Sequence, residues 1–192
     1  KLDAHLEVDG VGTLRVDTAF GGDSFVIVNA SDLGLALNAE EASDIAKLGI
    51  KITAAANKQI GFDHPILKEW NHISFCLFAG PLLQSDTGFE TKSAVTIRPG
   101  KVDRSPTGTA ARMALLHAQG KMVEMQALVA KSIIGSSFTG RISKTILLNG
   151  IPAIVPEISG RAWISGTYQL LLDPDDPWPE GYRLSDTWGV QP

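Results

Sequence analysis

The chain has 192 residues, of which 44% are hydrophobic and 20% charged, a composition that builds a packed core and excludes a disordered chain. Lys plus Arg is 17 and Asp plus Glu is 21, a net charge of −4, which argues against a nucleic-acid module. One Cys excludes an intrachain disulfide framework and a Cys-rich zinc site. His5, His64, His72 and His117 show no metal-binding spacing, and no apolar run reaches the ~18 residues of a membrane span. The sequence opens with neither an initiator Met nor a signal peptide, so a piece of a longer, cytoplasmic protein is expected. A lone Cys is compatible with that reducing compartment.

Leu2, Ala4, Leu6 and Val8 alternate with polar residues, as do Leu14, Val16 and Thr18 beyond Gly10-Val11-Gly12. This predicts a hairpin. Gly21-Gly22 serves a tight bend, without the Gly-Lys-Ser/Thr of a phosphate loop, and Phe25–Val28 reads as a buried strand. Asn38 and Glu41 form a capping-box pair for a helix over 39–58. Its apolar face is Ala42, Ile45, Ala46, Gly49, Ile52, Ala55 and Ala56. Gly61 and Pro65 end it. Residues 71–80 predict a strand with Cys76 as a packing thiol, 81–92 an exposed loop, 94–97 a short strand and 98–108 a dense turn segment. A second helix is expected over 110–119, stopped by Gly120. Residues 127–172 read as β-rich. From Asp173 the chain is Pro-rich and should be extended, and Pro174 with the missing Gly argues against a calcium loop there. The fold class is α+β, with each helix covered by curved sheet. Two regions follow: a lobe over 1–172 and a tail over 173–192.

The stretch Lys101-Val102-Asp103-Arg104-Ser105-Pro106-Thr107-Gly108-Thr109 carries the most chemistry. It runs into a helix start, where unpaired N–H groups and the positive dipole end favour an anion. The amides of Gly108 and Thr109 make a candidate carboxylate cradle, with Gly108 lacking the bulk that would block approach. Asp103 lies one turn upstream and suits an ammonium, so the pair suits an amino acid, with Thr107 facing its α-carbon. The same residues also fit a plain turn and N-cap with Asp103 as a structural cap, and spacing alone leaves both readings open. His117 suits a solvent or capping role, and a cleft contact stays open for His72. Trp70, Trp163, Trp178 and Trp188 read as packing anchors for the tail.

Asp103 to Thr109 followed by Ala110-Ala111-Arg112-Met113 resembles the second active-site segment of the proline racemase family. Similar to that family too are Val16-Asp17-Thr18-Ala19-Phe20-Gly21-Gly22, the run from Ser132 to Ile142, the run from Pro156 to Trp163, and the run from Asp173 to Gly181. They cover nearly the whole chain in the family's order. The resemblance implies a diaminopimelate-epimerase-like fold of two lobes, each a curved sheet around a central helix, with a cleft site and no cofactor. This chain would be the C-terminal lobe, its tail returning towards an N-terminal lobe whose Met-Cys-Gly-His segment is not in the sequence. Racemases and epimerases of the family usually carry a Cys in each lobe; here Thr107 stands at the second position. A threonine hydroxyl is too weak an acid to replace a thiol, and Thr there resembles the trans-3-hydroxy-L-proline dehydratases.

The resemblance therefore implies a lyase forming pyrroline-2-carboxylate. Asp103 would hold the ring ammonium, and Gly108 and Thr109 the carboxylate. Thr107 would contact the leaving hydroxyl or deliver a proton. Departing from the family's pattern, Gly108-Thr109 runs straight into Ala110-Ala111-Arg112, two residues short. The partners implied are a small-molecule substrate (hydroxyproline or proline) and the first lobe, with a homodimer left open and neither nucleic acid nor membrane. The alternatives are a 4-hydroxyproline 2-epimerase or proline racemase of the same family, or a non-catalytic amino-acid-binding lobe. A lobe without its partner should expose an apolar face and self-associate.

Overall fold

The structure, a computed structural model, describes residues 1–85 and 88–182. Strands β1 (Ala4–Val8) and β2 (Gly12–Phe20) form the expected hairpin, with Leu6 opposite Leu14. Strand β3 (Ser24–Asn29) continues it antiparallel, Thr18 facing Val26. A 3₁₀ turn at Ala39–Glu41 leads into helix α1 (Ala42–Gln59). Asn38 and Glu41 make the reciprocal capping box at its entry. Strand β4 (Phe75–Ala79) then pairs parallel with β3, Phe25 opposite Phe75.

Next come β5 (Leu83–Ser85), β6 (Gly88–Ile97), β7 (Lys101–Val102) and helix α2 (Thr109–Ala118). Strands β8 (Ala127–Lys131), β9 (Ser137–Leu148) and β10 (Ile151–Gly160) complete the order. Among the described residues they form one sheet of ten strands, ordered β1-β2-β3-β4-β6-β8-β9-β10, with β5 and β7 both on β6.

Strand parity explains the packing. Side chains alternate across a strand, and β3 and β4 are buried on both faces. Val26, Val28, Cys76 and Phe78 pack with Ile45, Ile52 and Ala56 of α1. Phe25, Ile27, Leu77 and Ala79 pack with Ala111 and Leu115 of α2. The opposite side of α2, Met113 and Leu116, is buried with Leu128 of β8 and Ile142 of β9. The curved sheet thus runs around α2 from β3 to β9, as the α+β expectation has it.

Three expectations need correcting. Only 75–79 of the stretch 71–80 is strand, because side chains take the preceding backbone groups. Asn57 Oδ1 accepts from Ile73 N–H and Asn57 Nδ2 donates to Ile73 C=O, each at 2.8 Å, and Ser24 Oγ accepts from Ser74 N–H at 3.1 Å. The loop expected over 81–92 holds β5 and the first half of a ten-residue β6. Its pairing with β8, Phe89 opposite Leu128, is a long-range term that local pattern does not report. The β-rich stretch ends at Gly160 rather than 172. A strand exists only against a neighbour, and 161–172 has no ladder among the described residues.

The chain divides into two units, Lys1–Arg161 and Ala162–Pro192. In the second, the Asp176 N–H donates to the Asp173 carbonyl at 3.1 Å and the Gly181 N–H to the Trp178 carbonyl at 2.8 Å. The rings of Trp178 and Tyr182 meet at 5.7 Å. Trp188 lies outside the described residues. Among the described residues no helix is long and apolar enough to cross a membrane.

Candidate active site

One end of the Lys1–Arg161 unit gathers the segments that carried chemistry in the sequence. There β2 ends at Phe20, β3 begins at Ser24, β4 begins at Phe75 and β6 ends at Ile97. The Asp103 N–H donates to the Val95 carbonyl at 2.9 Å, which ties the loop beyond β7 to the same end.

Helix α2 starts here, and two glycines let its first turn in. A side chain at Gly21 would collide with the backbone of Ala110 and Ala111, and one at Gly140 with Met113. Gly21 therefore does more than bend the chain: it lets a strand end touch a helix backbone, a role that neither its type nor its neighbours in sequence reveal. No side chain caps α2, and its first turn holds no acidic residue, so its leading N–H groups keep the partial positive charge of a helix N-terminus.

Gly108 is the residue before that first turn, at φ 79°, where only glycine is at ease. A Cβ there would stand 2.6 Å from Leu77 Cδ1 and 3.1 Å from Phe25 Cε1. Glycine at 108 is thus required by its own backbone and by the α2-side core. Thr109 is buried, its hydroxyl donating to the Pro106 carbonyl at 2.6 Å, which folds the loop tightly back onto the helix start.

Asp103, Ser105 and Thr107 converge. The Thr107 hydroxyl donates to Asp103 Oδ2 in a short hydrogen bond. The Ser105 N–H donates to Asp103 Oδ1 at 3.0 Å, and Ser105 Oγ lies 2.9 Å from Thr107 Oγ1. Burial pushes the Asp103 carboxyl up, but the hydrogen bonds from Thr107 and Ser105 outweigh it and hold the group below its ordinary value. Asp103 is a carboxylate at neutral pH. All four site residues expected from sequence lie on this one loop and helix start; Ser105 was missed, although Asp-x-Ser-x-Thr spacing places three oxygens within one turn.

Behind the loop, Ser136 Oγ donates to the Arg104 carbonyl at 2.6 Å and lies 2.7 Å from Ser132 Oγ, which is fully buried. On the other flank the Phe25 and Phe75 rings meet at 5.4 Å. An aromatic nest adjoins them at the same end. Phe20 stacks on Phe62 at 5.9 Å and meets His64 and Trp70 edge-on at 4.6 and 5.7 Å. Trp70 stacks with His72, and its indole N–H donates to Ser24 Oγ at 3.3 Å. His64 Nδ1 accepts from the N–H groups of Ile66 and Leu67, so it orders its own loop. His117 is far along α2, its Nδ1 2.9 Å from the Met122 carbonyl.

A second charged feature sits deeper. Arg112 is 8% exposed, and its Nε is buried with no hydrogen-bond partner among the described residues. Burial pushes the Asp17 carboxyl up, opposed by the positive charges of Arg112 and Lys121. Burial also drives Cys76 upward, and the thiol stays protonated in the core.

Residues 1–183 match the family model described as proline racemase. A crystal structure of a hydroxyproline epimerase from Agrobacterium vitis, with bound trans-4-hydroxy-L-proline, is 31% identical. The match covers 99% of this chain and 54% of that one, with a TM-score of 0.80. A probable proline racemase from Agrobacterium radiobacter K84, with bound carbonate, is 30% identical over 99% of this chain and 55% of that one, also at 0.80. The chain therefore spans little more than half the length of these solved structures. With the motif order, the sheet around α2 and these matches in agreement, the chain belongs to the proline racemase family.

Proposed function

We propose that this chain is one lobe of a two-lobe enzyme that dehydrates trans-3-hydroxy-L-proline to pyrroline-2-carboxylate. The observation that carries the reading is Thr107, with its hydroxyl proton committed to Asp103, at the position where a racemase needs a second thiol. Removing an α-proton from an amino acid needs a close base and strong stabilisation of the developing charge. The base comes from the other lobe. The uncapped start of α2 and the amides of Gly108 and Thr109 face the substrate carboxylate, and Asp103 takes the ring ammonium. Thr107 occupies the opposite face of the α-carbon and returns no proton. The electrons of the C2–H bond form the C2–C3 double bond, the C3–O bond breaks, and the proton and hydroxide leave together as water.

A second reading has an observation of its own: both similar solved structures are described as an epimerase or a racemase, and one holds trans-4-hydroxy-L-proline. In that reading another group supplies the second proton. The two separate in one experiment. The complete two-lobe protein is incubated in D₂O with trans-3-hydroxy-L-proline, trans-4-hydroxy-L-proline or L-proline and followed by NMR. Pyrroline carboxylate from the 3-hydroxy substrate alone is expected, and Thr107→Cys should gain inversion of the 4-hydroxy substrate. Inversion by the unmodified protein would overturn the dehydratase reading.

A further inference from the structure

The Asp103–Ser105–Thr107 cluster has more order than a single ammonium-binding carboxylate requires. Thr107 has one hydroxyl proton, and it goes to Asp103 Oδ2. The Ser105 hydroxyl lies 2.9 Å from Thr107 Oγ1 and also hydrogen-bonds the Asp103 carboxylate. Both protons run inward, towards the Asp103 carboxylate. The atoms left with free valence are lone pairs on three oxygens, and an ionised carboxylate only accepts. The loop is also held from outside. Ser136 Oγ grips the Arg104 carbonyl at 2.6 Å from the β8–β9 connection, where the buried Ser132 fixes it.

We infer that Ser105 is a positioning residue that turns this loop into an acceptor-only cage for a secondary ammonium, with Ser136 as its clamp. This deepens the proposed function and rests on Asp103 meeting the ring nitrogen. Without the Ser105 hydroxyl the Asp103 carboxylate loses one of the donors that fix its direction and is free to turn away from the cation. An uncharged ring gains nothing from the cage, so the effect of Ser105 must depend on the ligand's nitrogen.

The test is calorimetric titration of the complete two-lobe protein with L-proline and with cyclopentanecarboxylate, which has the ring and carboxylate but no nitrogen. Ser105→Ala is expected to weaken L-proline about tenfold, the worth of one good charge-assisted hydrogen bond, and to move cyclopentanecarboxylate less than about twofold. Ser105→Thr restores a hydroxyl and should restore the proline affinity. Ser136→Ala, remote from the ligand, should weaken proline in the same selective sense. Equal weakening of both ligands by Ser105→Ala, or of neither, would overturn the inference; so would failure of Ser105→Thr to recover. If Ser105→Ala does not fold, the Thr and Ser136 variants decide it. Wild-type protein that binds L-proline selectively but dehydrates nothing would sink the dehydratase reading and leave the cage standing. Wild-type protein that binds neither compound would overturn both.

Discussion

Asp103 and Asp17 are both half-buried carboxylates, yet they titrate in opposite directions. Burial alone raises an acid. At Asp103 the donors of Thr107 and Ser105 overcome it; at Asp17 the cations opposite do not. The consequence for stability has a definite sign. Asp103 has a folded value below its unfolded one of about 3.9, so its contribution is fully present above that value and is lost as pH falls through the folded one. Asp103→Asn should therefore lower the melting temperature near neutrality, and the gap from wild type should close as the pH is taken below about 4. A gap that persists at pH 2 would mean the carboxylate charge is not what holds the loop. The grouping of Asp103, Thr107, Gly108 and Thr109 was legible in the sequence because one seven-residue segment holds all four. Ser105 was passed over as turn filler, and Gly108 was read for ligand access. Contact with Leu77 and Phe25, far away in sequence, shows why glycine must also stand there.

Elements whose partners are local were read well; those completed by distant ones were not. The β1–β2 hairpin and the Asn38–Glu41 capping box are short-range and appear as expected. The extent of β6 depends on β8, and the irregular 71–74 stretch depends on Asn57 and Ser24. The α1 face was legible by its spacing, and one member of it makes a test. Gly49 lies on that face and is buried against Thr96 of β6, whose side chain occupies the place of a Cβ. Thr96 Oγ1 also donates to the Ile45 carbonyl at 3.0 Å, so it is not free to move aside. In an exposed helix Gly→Ala stabilises by about 1 kcal/mol. Here Gly49→Ala should destabilise, by roughly 1–3 kcal/mol as overpacking does, in urea unfolding. A gain in stability would show that α1 can lift off the sheet at little cost.

At the scale of the molecule, the residues beyond Arg161 carry a run of exposed apolar side chains. Ile164, Tyr168 and Leu170 are each more than 90% exposed, and Leu171 and Leu172 are close behind. Monomeric proteins rarely leave such a series uncovered, and each leucine buried in an association is worth about 1.5–3 kcal/mol. The chain alone should therefore associate with rising concentration in sedimentation velocity, and Leu170→Glu with Leu172→Glu should shift it towards monomer. Association unchanged by that pair would place the sticky surface elsewhere. The parallel pairing of β3 with β4 has a further consequence, for the order in which the molecule assembles. The meander β1-β2-β3 can close as it emerges, but β4 joins only after all of α1, and the Asp103 loop only after β6. Pairings of such sequence separation are slow to form. The candidate site's end of the sheet is thus complete only once these long-range pairings have formed. Trp70, the single tryptophan before residue 163, reaches Ser24 across 46 positions at that end, and its fluorescence would report the moment of closure.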